Sequence, residues 1–237
     1  MAGESEQTSP PAGTARSRLP LRWRDAALLL ALLAIAGLLA LLLIHGPSKP
    51  TILGQATSYR NGAYEGLTIS PRAEPALELR NYLGNEVNVK SFLGKAVLVT
   101  FLYTHCPLAC PLIASHLHTA WEEMSPKVRK EVQIIAVSVD PKGDTPTTVS
   151  AFVADHGMTG KMDYLIGGAN QLGSVWSAWG VGAKADAGDP GLVNHTSLIY
   201  GITAKGDILT AYQDTTQPAV IVHDVPKLFE NAPGPKT

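Results

Sequence analysis

Residues Ala96–Tyr103 read Ala-Val-Leu-Val-Thr-Phe-Leu-Tyr, a short apolar run rich in β-branched and aromatic side chains. A run this short with no polar face fits a strand buried on both sides, which requires helices above and below its sheet. The following sequence provides them. After Pro111, residues Ile113, Leu117, Ala120, Trp121 and Met124 recur at i, i+4, i+7, i+8 and i+11, predicting an amphipathic helix that ends before Pro126. Val132–Val139 is a second buried strand. Val149, Phe152, Val153 and His156 return to helical spacing and stop at Gly157. Leu165–Ile166 fits a short strand, and Leu172, Val175, Trp176 and Trp179 a helix ending at Gly180. Thr196–Thr203 and Ile208–Tyr212 flank a turn at Ala204–Asp207, which marks an antiparallel pair. A last helix is expected over Ala219–Phe229, with Pro226 inside it. In front, Leu77–Leu79 and Val87–Val89 flank a Gly84-Asn85 turn and predict a hairpin. The expected fold is α/β: a three-layer domain over residues 77–231, opened by a β-hairpin.

Only 16% of the 237 residues are charged, while 45% are apolar, against roughly 25% charged in an average soluble protein. The apolar excess has an address. Ala26–Ile44 is 19 residues long without a charge, and as a helix it reaches about 28 Å, close to the hydrocarbon thickness of a bilayer. It is longer than the apolar core of a signal peptide and offers no A-x-A-like cleavage site. Arg16, Arg18, Arg22 and Arg24 precede it, and the next basic residue after it is Lys49. The positive-inside rule then puts residues 1–25 in the cytoplasm as a disordered tail, 26–44 across the lipid bilayer, and everything beyond outside the cytoplasm. Glu4 and Glu6 argue against a mitochondrial presequence and for a bacterial plasma membrane. Residues 45–76 read as a linker of irregular or short strand structure, and 232–237 as a tail. With 19 Lys and Arg against 20 Asp and Glu, there is no basic field for nucleic acid.

The two cysteines both lie in Thr104-His105-Cys106-Pro107-Leu108-Ala109-Cys110-Pro111, between the first buried strand and its helix. Positions i and i+4 of a helical turn share a face, with Cα atoms about 6 Å apart. Two sulfurs at that spacing can form a disulfide or share a metal ion. A helix N-terminus favours thiolate over thiol, and Pro111 suits a first turn. A purely stabilising disulfide is the weaker reading, because so small a loop removes little unfolded-state entropy. Neither the C-x-x-C of a thioredoxin pair nor the C-x-x-C-H of a c-type haem is present. A mononuclear metal site needs further ligands. His116 and His118 read as solvated, His156 and His223 as core-edge or surface groups, and His105 should point away from Cys106. His195 closes a Gly/Asp/Ala-rich loop and opens a strand, the junction at which sheet-centred folds collect ligands. Spacing alone makes it a candidate and no more.

Gly94–Pro111, then Ser138-Val-Asp-Pro-Lys-Gly-Asp-Thr-Pro, Gly157-Met-Thr-Gly and Val193-Asn-His-Thr-Ser-Leu-Ile-Tyr together resemble the SCO family (SCO1/SenC/PrrC) over about Leu77–Tyr212. The resemblance implies a thioredoxin-like fold, tethered to the membrane and exposed outside it. It also implies one copper ion held by Cys106, Cys110 and His195. The implied role is to deliver copper to, or reduce the cysteines of, the dinuclear copper centre of cytochrome c oxidase. The implied partners are the oxidase subunit bearing that centre, with copper donors or thiol reductants upstream. Two thiolates with one imidazole favour Cu(I), with Cu(II) possible where a further ligand arrives; zinc would also accept this set with water. The family usually has Asp before the distal histidine, where this chain has Asn194. Asp140 and Asp144 match the family and read as turn and helix caps. The alternative function is a thiol–disulfide oxidoreductase acting through Cys106 and Cys110 without metal. A peroxiredoxin-type peroxidase fits poorly, because Tyr103 stands where that family has Thr. The chain reads as a metallochaperone, with possible reductase activity, rather than a turnover enzyme.

Overall fold

The computed structural model describes residues 26, 28, 30–37, 64–185 and 193–230. The chain divides into two compact units, residues 1–50 and 51–237. In the first unit residues 30–37 are helical, with Leu30, Leu32, Leu33 and Ile35 exposed. Among the described residues no helix is long and apolar enough to cross a membrane. Part of the span expected over 26–44 lies outside the described residues, as do the tails at 1–25 and 232–237 and the start of the linker, 45–63.

The second unit is built on β4 (Ala96–Leu102), of which every residue is buried. Parallel β5 (Val132–Ser138) flanks it on one side and antiparallel β9 (Leu198–Ile202) on the other. Beyond β5 lie parallel β6 (Met162–Ile166) and the hairpin of β2 (Glu78–Asn81) and β3 (Glu86–Asn88). Beyond β9 lie β10 (Asp207–Gln213) and β1 (Leu67–Ala73), completing an eight-stranded sheet.

Helix α1 (Ala109–Glu123) connects β4 to β5, the short α2 (Pro126–Lys130) follows it, and α3 (Pro146–Asp155) connects β5 to β6. The crossovers through α1 and α3 step in the same direction across the sheet, so right-handed connections put these two helices on one face. There α1 packs against α5 (Pro218–Glu230). Helix α4 (Ala169–Trp179) covers the other face. The Trp179 ring lies 5.8 Å from that of Tyr200, whereas a Cβ on the next residue, Gly201, would point at Leu228 of α5. Adjacent residues of a strand face opposite ways, so α4 and α5 lie on opposite sides.

The buried strands and the four long helices form where their periodicity expects them. Several elements were not placed by the sequence reading, among them α2, a 3-10 turn at Val89–Phe92 and two-residue strands at Lys184–Ala185 and Val193–Asn194. Helix α2 is too short to show a period; the Ser125 hydroxyl caps it by accepting the Val128 N–H at 3.3 Å. Strand β1 supplies the short strand structure allowed for in the segment read as a linker; its bounds were not placed, because Pro71 interrupts its pattern and its register slips between Thr68 and Arg72. Proline is tolerated there because β1 is an edge strand. Its start is held by the buried Asp224 carboxylate, which accepts the Glu65 and Gly66 N–H groups at 2.9–3.1 Å.

Gly201 lets β9 and β10 sit close beneath α5. A Cβ there would come within 2.5 Å of Thr210 Cγ2 and 3.1 Å of Leu228 Cδ1. Gly201→Ala is therefore expected to destabilise the domain by about 1–3 kcal/mol in urea denaturation. An unchanged midpoint would contradict this packing.

Candidate metal centre

Strand β4 ends at Leu102, and the chain turns through Tyr103–Leu108 before α1 begins. The turn is braced from behind by Asp144, a buried residue. One carboxylate oxygen accepts the Thr104 N–H at 2.8 Å; the other accepts the Ser138 hydroxyl at 2.6 Å and the Tyr164 hydroxyl at 2.9 Å. Burial raises the Asp144 pKa, and these donors act against the rise. Asp140 is a turn cap as expected, accepting the Lys142 and Gly143 N–H groups. Asp144 is not the helix cap the sequence reading made it: Thr145 and Thr148 form that capping box. Asp144 turns inward because its three donors come from three separate segments.

Helix α1 begins without a side-chain cap at Leu108, and Pro111 has no N–H to satisfy. The Cys110 N–H donates instead to Cys106 Sγ at 3.3 Å. Both cysteines are free; Cys106 is partly exposed and Cys110 is buried. The Cys106 thiol is lowered to about 3, first by the hydrogen bond from the Cys110 side chain, with the Leu108 and Cys110 backbone N–H groups adding to it and burial opposing. Cys110 is pushed up, first because it donates to the Cys106 sulfur and then by burial; the Tyr103 backbone N–H opposes the rise. The pair thus holds one proton, on Cys110.

His195 arrives from the other end of the domain. Val193–Asn194 (β8) pairs with Lys184–Ala185 (β7) in a short antiparallel ladder, and the next residue reaches the thiols. His195 Nε2 lies 3.9 Å from Cys110 Sγ, and Nδ1 lies 3.2 Å from the Thr196 carbonyl. A carbonyl only accepts, so Nδ1 carries the proton and the Nε2 lone pair faces sulfur. Metal-bound histidines share this orientation, with the second nitrogen tied to an acceptor. The Asn194 side chain lies outside the described residues.

Tyr103, which the sequence reading used only to weigh against a peroxidase, joins these parts. Its ring meets the His195 imidazole edge-on, with centroids 5.7 Å apart at 80°. Its hydroxyl accepts the Val193 N–H at 3.3 Å. Burial raises its pKa, and the neighbouring cysteines add to the rise. The available signal was a hydroxyl at the end of an otherwise apolar buried strand, which requires a polar partner.

Three of the other histidines are engaged elsewhere. His118 Nδ1 lies 3.1 Å from the Gly157 carbonyl, so it is less solvated than expected. His156 Nδ1 lies 2.8 Å from the Phe152 carbonyl, and His223 Nδ1 lies 2.7 Å from Asp224. His105 is exposed beside the Thr104 hydroxyl. Among the described residues no group of three His, Cys, Asp or Glu side chains is closed into a metal site. The donors are gathered rather than closed. Bonds of about 2.3 Å to sulfur and 2.0 Å to nitrogen, at 120°, put the two ligand atoms roughly 3.7 Å apart. The observed 3.9 Å between Cys110 and His195 fits that spacing.

The SCO1/SenC family model matches residues 68–230. This chain is a member of the SCO1/SenC family. It is similar to ScoI of Bradyrhizobium japonicum, whose structure is described as having copper bound, at 28% identity and a TM-score of 0.55, covering 66% of this chain and 98% of that one. It shares the fold of BsSco at 23% identity and a TM-score of 0.57, covering 69% and 98% of the two chains; that protein is described as having a disulfide switch and as a member of the Sco family of cytochrome c oxidase assembly proteins. A protein of Stutzerimonas stutzeri named for copper binding is 26% identical over 99 residues, which are 40% of this SCO1/SenC chain and 48% of the relative's length. Copper binding and oxidase assembly are thus the properties that the relatives' descriptions carry.

The unequal sulfurs predict unequal reactivity. With its pKa near 3, Cys106 stays a thiolate from about pH 5 to 9, so its alkylation rate by iodoacetamide should be flat with pH, while Cys110 remains largely unmodified. Mass-spectrometric peptide mapping checks this. A Cys106 rate that rises through an ordinary thiol pKa would contradict the hydrogen-bonded pair.

Proposed function

We propose that this SCO1/SenC chain is a membrane-held copper-binding protein whose domain lies outside the cytoplasm and delivers copper to, or reduces the cysteines of, the dinuclear copper centre of cytochrome c oxidase. One observation carries the copper reading: a thiolate, a thiol and an imidazole lone pair meet at one end of β4, with Cys110 Sγ 3.9 Å from His195 Nε2. Cys106, Cys110 and His195 are the proposed ligands and copper is the cargo. Soft sulfur donors select Cu(I), and three ligands leave a side open for transfer. Uptake would displace the single proton held between the sulfurs, so loading should release acid. The partly exposed Cys106 would be the ligand offered first to a partner, while buried Cys110 and His195 retain the ion.

The anchor is assigned to 26–44, with the arginine-rich tail inside a bacterial plasma membrane. The proposed partners are the oxidase subunit carrying the copper centre, copper donors or thiol reductants, and the bilayer itself. A specific observation also favours thiol chemistry. The Cys106 thiolate could attack a partner disulfide, and Cys110 would then resolve the mixed disulfide. The partner would leave as a dithiol and this chain with a Cys106–Cys110 bond, two electrons having moved.

The full-length chain is expected to take up one Cu(I), measured by metal analysis after competition with a chromophoric Cu(I) chelator. Cys106→Ser and Cys110→Ser should lose that copper, and His195→Ala should bind at least tenfold more weakly. Disulfide exchange by the metal-free chain should survive His195→Ala but neither cysteine variant. A His195→Ala chain that keeps wild-type affinity would overturn the three-ligand reading and leave the thiol reaction.

A further inference from the structure

Tyr103 touches every part of the proposed site. Its carbonyl accepts the Cys106 N–H at 3.3 Å, and its own N–H points to the Cys110 sulfur. Its ring abuts His195, and its hydroxyl holds the Val193 N–H, two residues before that histidine. The backbone contacts would be made by any residue at position 103. The ring and hydroxyl are particular to tyrosine; both act on the His195 side, and the hydroxyl also donates to the Cys106 sulfur.

This matters because, among the described residues, His195 is otherwise lightly held. It follows a two-residue strand paired with another of two residues, and its ring nitrogens meet the Thr196 carbonyl and the Cys110 sulfur. The cysteines are held differently, by the start of α1 and by Asp144 through Thr104. The imidazole and the dithiol are therefore anchored to separate parts of the fold, and Tyr103 spans them.

We propose that Tyr103 is the positioning residue of the copper site: its hydroxyl tethers β8 and its ring orients the imidazole, so that His195 is presented to the sulfurs before metal arrives. This rests on the reading of His195 as a copper ligand. The proposed effect on copper binding runs through His195; the hydroxyl's hydrogen bond to Cys106 is a second route, which the double variant separates. Tyr103→Phe removes only the hydroxyl and keeps the ring, so the core remains filled.

A double-mutant cycle on the full-length chain in detergent tests the proposal, with Cu(I) affinity measured against a chromophoric chelator for wild type, Tyr103→Phe, His195→Ala and the double variant. Losing one neutral hydrogen bond should weaken Cu(I) binding roughly three- to tenfold in Tyr103→Phe. Both thiols should still titrate with a disulfide reagent, and the Cu(II) form should show a shifted sulfur-to-copper charge-transfer band. The double variant should bind no more weakly than His195→Ala alone, because a residue acting through the imidazole has nothing to position once it is gone. Wild-type affinity and spectrum in Tyr103→Phe, or additive losses in the double variant, would overturn the positioning role while leaving the copper ligands intact. Unchanged affinity in His195→Ala would overturn the three-ligand reading, and this proposal with it.

Discussion

The amino end of α1 sets the chemistry of the domain. A helix starts with N–H groups that have no partner inside it, and most helices meet them with a Ser, Thr, Asp or Asn cap. Here the cap residue is Leu108, which has no acceptor, and the Cys110 N–H finds the Cys106 sulfur instead. A sulfur that accepts from a helix terminus and from a second thiol is stabilised as thiolate. One local constraint thus favours the thiolate at Cys106, the form in which a sulfur can act as nucleophile or ligand, and leaves the thiol proton on Cys110.

The rest of the fold keeps that terminus in place and brings an imidazole to it. Strand β4 is buried along its whole length, so the turn after it leaves from a fixed point. Asp144 ties Thr104 in that turn to Ser138 at the end of β5 and to Tyr164 in β6, clamping the ends of three neighbouring strands. A carboxylate is buried there because its oxygens are supplied with donors; without them the desolvation cost would be severe. On the other side Tyr103 meets the segment that carries His195. The thiols rest on a rigid framework and the histidine on a short ladder, a division that would suit the proposed uptake and release of an ion.

Much of this was legible in the sequence. The apolar runs of β4 and β5 have one physical explanation, burial on both faces, and the helical stripes could hardly be placed elsewhere. The cysteine spacing and its position at a helix start pointed to a chemical rather than a structural pair. His195 was harder: it stands 85 positions from Cys110, beyond an irregular loop, and only the family resemblance joined the two. Asp144 was misread, and the role of Tyr103 passed over, for a related reason. A turn aspartate and a strand-end tyrosine have ordinary local explanations, and what distinguishes them are partners from distant segments, which no local pattern encodes. Strand β1 was hidden because an edge strand with Pro71 and a slipped register lacks the alternation by which strands are recognised.

The central claim is that the two sulfurs and the one imidazole gathered at the end of β4 close on a single soft ion. Copper K-edge X-ray absorption of the chain loaded with one equivalent of Cu(I) tests it most directly. The expected result is a three-coordinate ion with two sulfur neighbours and one imidazole nitrogen, the nitrogen disappearing in His195→Ala. A two-coordinate ion bound by sulfur alone, or a spectrum unchanged by loss of His195, would contradict it.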